Sequence, residues 1–348
     1  MFFKIKNLVE KELHSYVGSI NKLYALNKLS FVLFKNIREF ICRDGKRVRP
    51  ILFCIGYLGF SKKPAAPPGL YRSALSLELL HDFMLVHDDI IDKSDKRRGK
   101  PSLHALLNNT LSRNKEIRFS GQDLAIVAGD VMYAMGLDAF LAVKEKPLRK
   151  EAALRKLFRA ALYTGSGEFI ELLLGIKPIG KITQQDIYKI YDYKTANYTF
   201  ASPLTMGAEL AGAGAGQIEK LRSYGMLLGR AFQIKDDIIG TFGKFKETGK
   251  SNLTDIKEAK RTLLVWYAFN HAGRKNKQVI KKIMGNKITR VAELIKMRSI
   301  ITDTGALAYA QNQIKYLYAQ ALDKTRGLNM HQKYKQTLNN FSEEILKI

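Results

Sequence analysis

Cysteine is scarce: Cys42 and Cys54 are the only two among 348 residues. Two thiols exclude a disulfide framework, and their spacing offers no clustered set for structural zinc. They are expected to be buried in a reducing compartment. Proline is missing from the second part of the chain, all eight lying at or before Pro203, so the remainder is free of the strongest helix breaker. No apolar run reaches the length of a membrane span. The opening MFFKIKNLVEKELHSYV is interrupted by Lys4, Lys6, Glu10, Lys11 and Glu12 and lacks the unbroken core of a secretory signal. A cytoplasmic protein without stable membrane insertion is expected, although a basic face could still touch a membrane surface. Acidic residues are also few, 32 against 58 lysines and arginines, for a net charge of +26. That field attracts anions of every kind. The cations are spread along the chain, no nucleic-acid module accompanies them, and a nucleic-acid partner is not expected.

What the chain does have is a helical rhythm. Apolar residues recur at three- and four-residue spacing between breakers, as in Leu77, Leu79, Leu80, Phe83, Met84, Val86 and His87, while strand-like alternation is almost absent. Turn signals fall at 61–69, 112–121, 175–181, 243–255 and 324–329 without anything resembling an interdomain linker. The expectation is all-α: one large helical bundle spanning residues 1–348 as a single domain.

Two acidic motifs interrupt this pattern, HDDIID with Asp88, Asp89 and Asp92, and FQIKDDIIG with Asp236 and Asp237. Asp88 and Asp92 stand one helical turn apart, with Asp89 beside them. Carboxylates on an apolar helix are costly unless a cation relieves their charge. Magnesium on Asp88, Asp89, Asp92, Asp236 and Asp237 is expected, because it takes one or two carboxylates and completes its octahedron with water and substrate phosphate oxygens. Two acidic helices could therefore grip one diphosphate through bridging magnesium ions. Basic partners for that anion are present in Lys46 and Arg49 of GKRVRP, Arg97 and Arg98 of KRRGKP, Lys194 of YKTA, Lys250 of TGK, and Lys260. Arginine forks grip phosphate oxygens in pairs, and lysine adds point charge.

These motifs, with GEFIEL, YKTANYTFASP and TGKSNLTDIKEAKRTL in the same order, resemble the trans-isoprenyl diphosphate synthases, or polyprenyl synthetases. The resemblance runs from Gly45 to about Leu263. It implies an isoprenoid-synthase bundle with a central substrate cavity, a homodimer, and three magnesium ions with substrate bound. Lys46, Arg49, His81 and Arg98 would hold the diphosphate of isopentenyl diphosphate. Arg97, Lys194, Thr195, Gln233, Lys250 and Lys260 would surround the allylic diphosphate, with magnesium on Asp88, Asp92 and Asp236. Gly240 stands where many relatives carry a third aspartate, and Glu168 and Glu171 stand where glutamine and aspartate are usual, leaving the number of ligands in the second motif open.

The resemblance implies that the allylic substrate ionises and isopentenyl diphosphate attacks the cation, the released diphosphate taking the proton. Phe83, Phe169, Phe200 and Phe232 could shield the cation from water. Phe83 lies five residues before Asp88, about 7.5 Å down the helix, where a ring could stop a growing tail. Met84 beside it lacks the second aromatic typical of one farnesyl-making group. The expected product is geranylgeranyl diphosphate, with farnesyl diphosphate second. A non-catalytic subunit of a heteromeric synthase should have lost one acidic motif, yet both are present. A terpene cyclase would leave GKRVRP and KRRG without purpose.

Overall fold

The apolar periodicity becomes helix almost throughout. The computed structural model describes residues 1–111, 116–243, 260–286 and 290–347. Its helices are α1 (Phe2–Tyr24), α2 (Leu26–Leu29), α3 (Phe31–Ile41), α4 (Val48–Phe60), α5 (Leu70–Ile91), α6 (Leu103–Leu111), α7 (Gly121–Phe140) and α8 (Pro147–Gly175). There follow α9 (Gln184–Ile190), α10 (Ser202–Ala211), α11 (Ala215–Phe242), α12 (Leu263–His271), α13 (Arg274–Gly285), α14 (Val291–Asp303), α15 (Ala306–Arg326) and α16 (Gln332–Leu346). Tyr191–Ala201 forms a π-helical stretch leading into α10. The only strands among the described residues are β1 (Lys96–Arg97) and β2 (Lys100–Pro101), an antiparallel hairpin. Its turn residues Arg98 (φ 55°) and Gly99 (φ 73°) are both left-handed, as a two-residue turn matched to strand twist requires. The fold is all-α, as the periodicity predicts. Among the described residues no helix is long and apolar enough to cross a membrane.

The chain divides into two compact units, one of Met1–Leu154 with Met206–Gly212, the other of Arg155–Thr205 with Ala213–Ile348. In the first, α5 packs along α7, with α1, α4 and α6 against this pair. Leu70, Ala74, Leu77, Leu79, Leu80 and Val86 of α5 are buried. Gly129 of α7 makes room for the His87 ring of α5 at this contact: a Cβ there would lie 2.8 Å from the ring, closer than a methyl group packs unless the ring shifts. Tyr16 of α1 donates to the Met135 carbonyl at 2.7 Å, fastening α1 to the same helix.

In the second unit α11 packs against α15 and the π-helical stretch. Glycine sets the spacing here, since a Cβ on Gly229 would lie 2.4 Å from the Ala196 Cα. Glycine inside a helix costs about 1 kcal/mol relative to alanine, and here it is offset by the close backbone approach. Arg230 clamps Asp192 with bonds of 2.6 and 2.7 Å, fixing α11 to the start of the wide helix.

A buried arginine locks the entry to α4. Arg47 adopts φ 49°, and its side chain is wholly enclosed, donating to Glu10 at 2.8 Å, to Glu78 at 2.7 Å and to the Ile41 and Arg43 carbonyls. Burial opposes its charge, but Glu78 and Glu10 outweigh that cost and hold its pKa above the ordinary arginine value. Deleting one partner of a buried ion pair leaves the other charge unrelieved. Arg47→Ala is therefore expected to lower unfolding free energy by about 3 to 5 kcal/mol, measured by urea denaturation.

Candidate active site

The helical period sorts the ionisable residues of α5 into two stripes. At about 100° per residue, Glu78, Asp82 and Asp89 fall within roughly 40° of one another, while His81, Asp88 and Asp92 form a second stripe beside them. Burial follows this division. The first three are buried, and the second three are partly exposed.

Each buried carboxylate has its own guanidinium. Glu78 pairs with Arg47 at 2.7 Å, Asp82 lies 3.7 Å from Arg98, and Asp89 accepts from Arg97 Nε at 2.8 Å. Arg97 also reaches Asp88 at 3.2 Å. Burial works against the Arg97 charge, yet the Asp89 bond and the charges of Asp89, Asp88 and Asp92 raise its pKa. The hairpin explains why Arg97 and Arg98, neighbours in sequence, serve different carboxylates: the left-handed turn starting at Arg98 redirects its side chain, which also reaches Glu78 at 3.8 Å.

On the open stripe, one oxygen of Asp88 and one of Asp92 lie within 4.8 Å. This spacing and the all-oxygen donor set fit a hard divalent cation such as magnesium. His81 is held neutral, its pKa pushed well below the ordinary value by burial and then by Arg49, Arg98, Arg97 and Arg47. Lys46 is exposed on the loop ahead of α4, and Arg49 is half-buried in its first turn. Phe83 is fixed by ring contacts with His87 at 4.5 Å and Tyr133 of α7 at 5.4 Å; Met84 beside it is partly exposed.

The second acidic motif repeats the division. Asp237 is buried, with one oxygen accepting from Tyr191 Oη and the other from Gln233 Nε2 at 2.9 Å. Asp236, on the adjacent stripe, is exposed. Thr195 donates to Gln233 Oε1 at 2.5 Å, and the Leu263 amide donates to Tyr191 Oη at 3.0 Å. One connected chain of bonds thus runs from the π-helical stretch through α11 to the start of α12. In each DD pair, then, the second aspartate is tied into the interior and the first faces outward. The sequence treats both alike.

Lys194 does not stand alone. Its ammonium lies 2.5 Å from both Glu168 and Glu171 of α8, the two positions that depart from the usual family residues. A wide π turn carries Lys194 and Thr195, a form that recurs at functional positions. Phe200 and Phe232 contact each other with centroids 5.3 Å apart, and Phe200 is fully buried. Phe169 departs from the shielding role expected of it: at 63% exposure it lies on the outer face of α8, because its helical phase points away from buried Thr164 and Leu174. Lys260 is half-buried before α12, and Lys250 lies outside the described residues.

Sequence reasoning missed Arg47, Glu78, Asp82 and Tyr133. A signal for two of them existed: Glu78 and Asp82 stand one turn apart beside Leu77, Leu79 and Leu80, where a buried cation or a bound proton must relieve their charge. The Asp82 carboxyl is pushed up to about 8, first by burial and then by Glu78, with Arg98, Arg47 and Arg49 pulling the other way. An unfolded aspartate ionises near pH 3.9, so folding takes up a proton between these values. The stability contributed by protonated Asp82 is full below about pH 4 and falls as pH rises to about 8. Asp82→Asn should flatten this part of the dependence of melting temperature on pH.

Comparison with known proteins places the chain. A family model described as "Polyprenyl synthetase" matches residues 32–301. Geranylgeranyl diphosphate synthase of Sulfolobus acidocaldarius is 31% identical over 327 residues, covering 92% of this chain and 89% of that protein. Geranylfarnesyl diphosphate synthase of Aeropyrum pernix is 34% identical, covering 80% and 82%. The crystal structure of geranylgeranyl pyrophosphate synthase from Corynebacterium glutamicum, complexed with isoprenyl diphosphate and magnesium, superposes with a TM-score of 0.91 at 25% identity over 99% of this chain and 98% of that one. With its motifs in family order and its matched region spanning most of its length, the chain belongs to the polyprenyl synthetase family.

Proposed function

We propose that this chain is a trans-prenyltransferase of the cytoplasm that joins isopentenyl diphosphate head to tail with allylic prenyl diphosphates, making geranylgeranyl diphosphate. The observation that carries this reading is the sorting of aspartates: Asp88, Asp92 and Asp236 face outward while Asp89 and Asp237 are consumed by the interior. Family membership and the named relatives support it. The two units then serve one catalytic domain, and both acidic helices act in the same reaction.

Asp88, Asp92 and Asp236 would hold magnesium, three ions in the substrate-bound state, which when bound neutralises diphosphate charge. Asp89 and Asp237 fix the two helices rather than meeting the ions, through Arg97 on one side and Tyr191 with Gln233 on the other. Lys46, Arg49 and Arg98 bind the diphosphate of isopentenyl diphosphate as preorganised cations, and neutral His81 donates a hydrogen bond without adding charge. Arg97, Lys194, Thr195, Gln233, Lys250 and Lys260 surround the allylic diphosphate. The bond between Thr195 and Gln233 orients the hydroxyl beside the cation, and the apolar faces around Phe83, Phe200 and Phe232 exclude water. The departing diphosphate takes the proton released on condensation.

Phe83 sets product length. Its ring is braced by His87 and Tyr133, so it cannot swing aside as the tail lengthens. Farnesyl diphosphate is the second product to consider, since it requires only an earlier stop. A homodimer fits the outer face of α8, where Leu162, Phe169, Leu172 and Leu173 are all exposed, with Ile176 just beyond its end, more apolar surface than an isolated helix face usually shows to water.

Asp236→Asn should lower turnover of purified protein by about a hundred- to a thousandfold and raise the magnesium requirement with little change in melting temperature. Asp237→Asn should instead lower the melting temperature, because it weakens the Tyr191 and Gln233 bonds; an assay of diphosphate release beside calorimetry separates the two. Phe83→Ala should shift radiolabelled products to longer chains, and an unchanged chain length would remove Phe83 from this role.

A further inference from the structure

Away from both acidic motifs, the turn joining α1 to α3 forms an exposed tip of unusual chemistry. Leu23 (67% exposed), Leu29 (76%) and Phe31 (60%) project there with Tyr24 and Val32, although a soluble surface normally scatters such side chains singly. The tip is well built. Ala25 takes a left-handed conformation, the Asn27 amide donates to Asn21 Oδ1 at 2.7 Å, and Ser30 caps α3 by accepting from the Leu33 amide. Lys22, Lys28 and Lys35 are exposed among the apolar groups, and the Lys35 ammonium lies 5.8 Å from the centre of the Phe31 ring. No aspartate or glutamate occurs between Glu12 and Glu39. Behind the tip, a cleft of about 580 Å³ is lined by Phe31 and Phe34 together with Lys35, Arg38 and Glu39.

Apolar side chains held out among lysines, on a stretch with no acid between Glu12 and Glu39 and with Asp138 touching it only through the Tyr24 hydroxyl, match the boundary of an anionic bilayer, where acyl chains meet negative headgroups. A nucleic acid would complement the charge but not Leu23, Leu29 and Val32. We propose that this tip docks the protein reversibly on membranes carrying anionic lipid headgroups. The proposal is independent of which prenyl chain the enzyme makes.

Flotation of the full chain with vesicles tests it. Protein should rise with vesicles of phosphatidylcholine containing about one-third phosphatidylserine but not with phosphatidylcholine alone, and added salt should weaken the association. Each lysine near such a surface strengthens binding about fivefold, so Lys22→Gln, Lys28→Gln and Lys35→Gln combined should weaken it about a hundredfold. Leu29→Ser with Phe31→Ser should weaken it about tenfold. Both variants should keep the wild-type melting temperature and vesicle-free diphosphate release. Equal recovery with neutral and anionic vesicles, or recovery with neither, overturns the proposal. So does a triple-glutamine variant that binds like the wild type, which would assign binding to the general +26 field. Loss of self-association by the variants in light scattering, without vesicle binding by the wild type, would show instead that a second copy covers the tip.

Discussion

A helix that carries several carboxylates through an apolar interior must relieve their charge, and α5 does so in two ways. Glu78, Asp82 and Asp89 are turned inward and matched with Arg47, Arg98 and Arg97. Asp88 and Asp92, about a quarter turn around the helix, remain partly exposed. The local pieces follow from this requirement. The left-handed Arg47 is needed because its guanidinium must reach Glu10 and Glu78 together. The hairpin at Arg97 and Arg98 is needed because adjacent arginines must serve carboxylates nearly two turns apart along the helix.

The buried pairs also bear on function. A guanidinium neutralised on one side by a buried carboxylate is fixed in direction, so less of its freedom is lost when phosphate arrives. Arg98 occupies such a position beside Glu78, at 3.8 Å. On α11 the same division recurs: Tyr191 and Gln233 hold Asp237, and Asp236 is left outward.

Backbone approach is the second constraint. Gly229 against the Ala196 backbone allows a spacing that any side chain would forbid, and Gly129 leaves room for the His87 ring. These contacts bring the acidic helices against partners that carry other candidate groups: Tyr133 beside Phe83 on one side, and Lys194 with Thr195 on the other. An ordinary helix former at Gly229 would push Lys194 and Thr195 away from α11 by the width of a methyl or more.

Much of this was legible in the sequence. Periodicity predicted an all-α protein, and the order of motifs pointed to the family, because hydrophobic spacing and motif order are properties of the chain itself. The family resemblance likewise nominated the outward residues Asp88, Asp92 and Asp236. Three things were decided only by tertiary structure. Asp89 and Asp237 looked equivalent to their neighbours, since the sequence carries no record of the Arg97 and Tyr191 contacts that occupy them. Phe169 looked like a shield and lies exposed, because its direction depends on which face of α8 is packed. Arg47, Glu78 and Asp82 went unremarked, since a buried charge declares its purpose only when its partner, supplied from elsewhere in the chain, stands within hydrogen-bond or ion-pair distance. The chain determines which charges exist and their helical phase; folding decides which are buried against one another and which stay open to solvent.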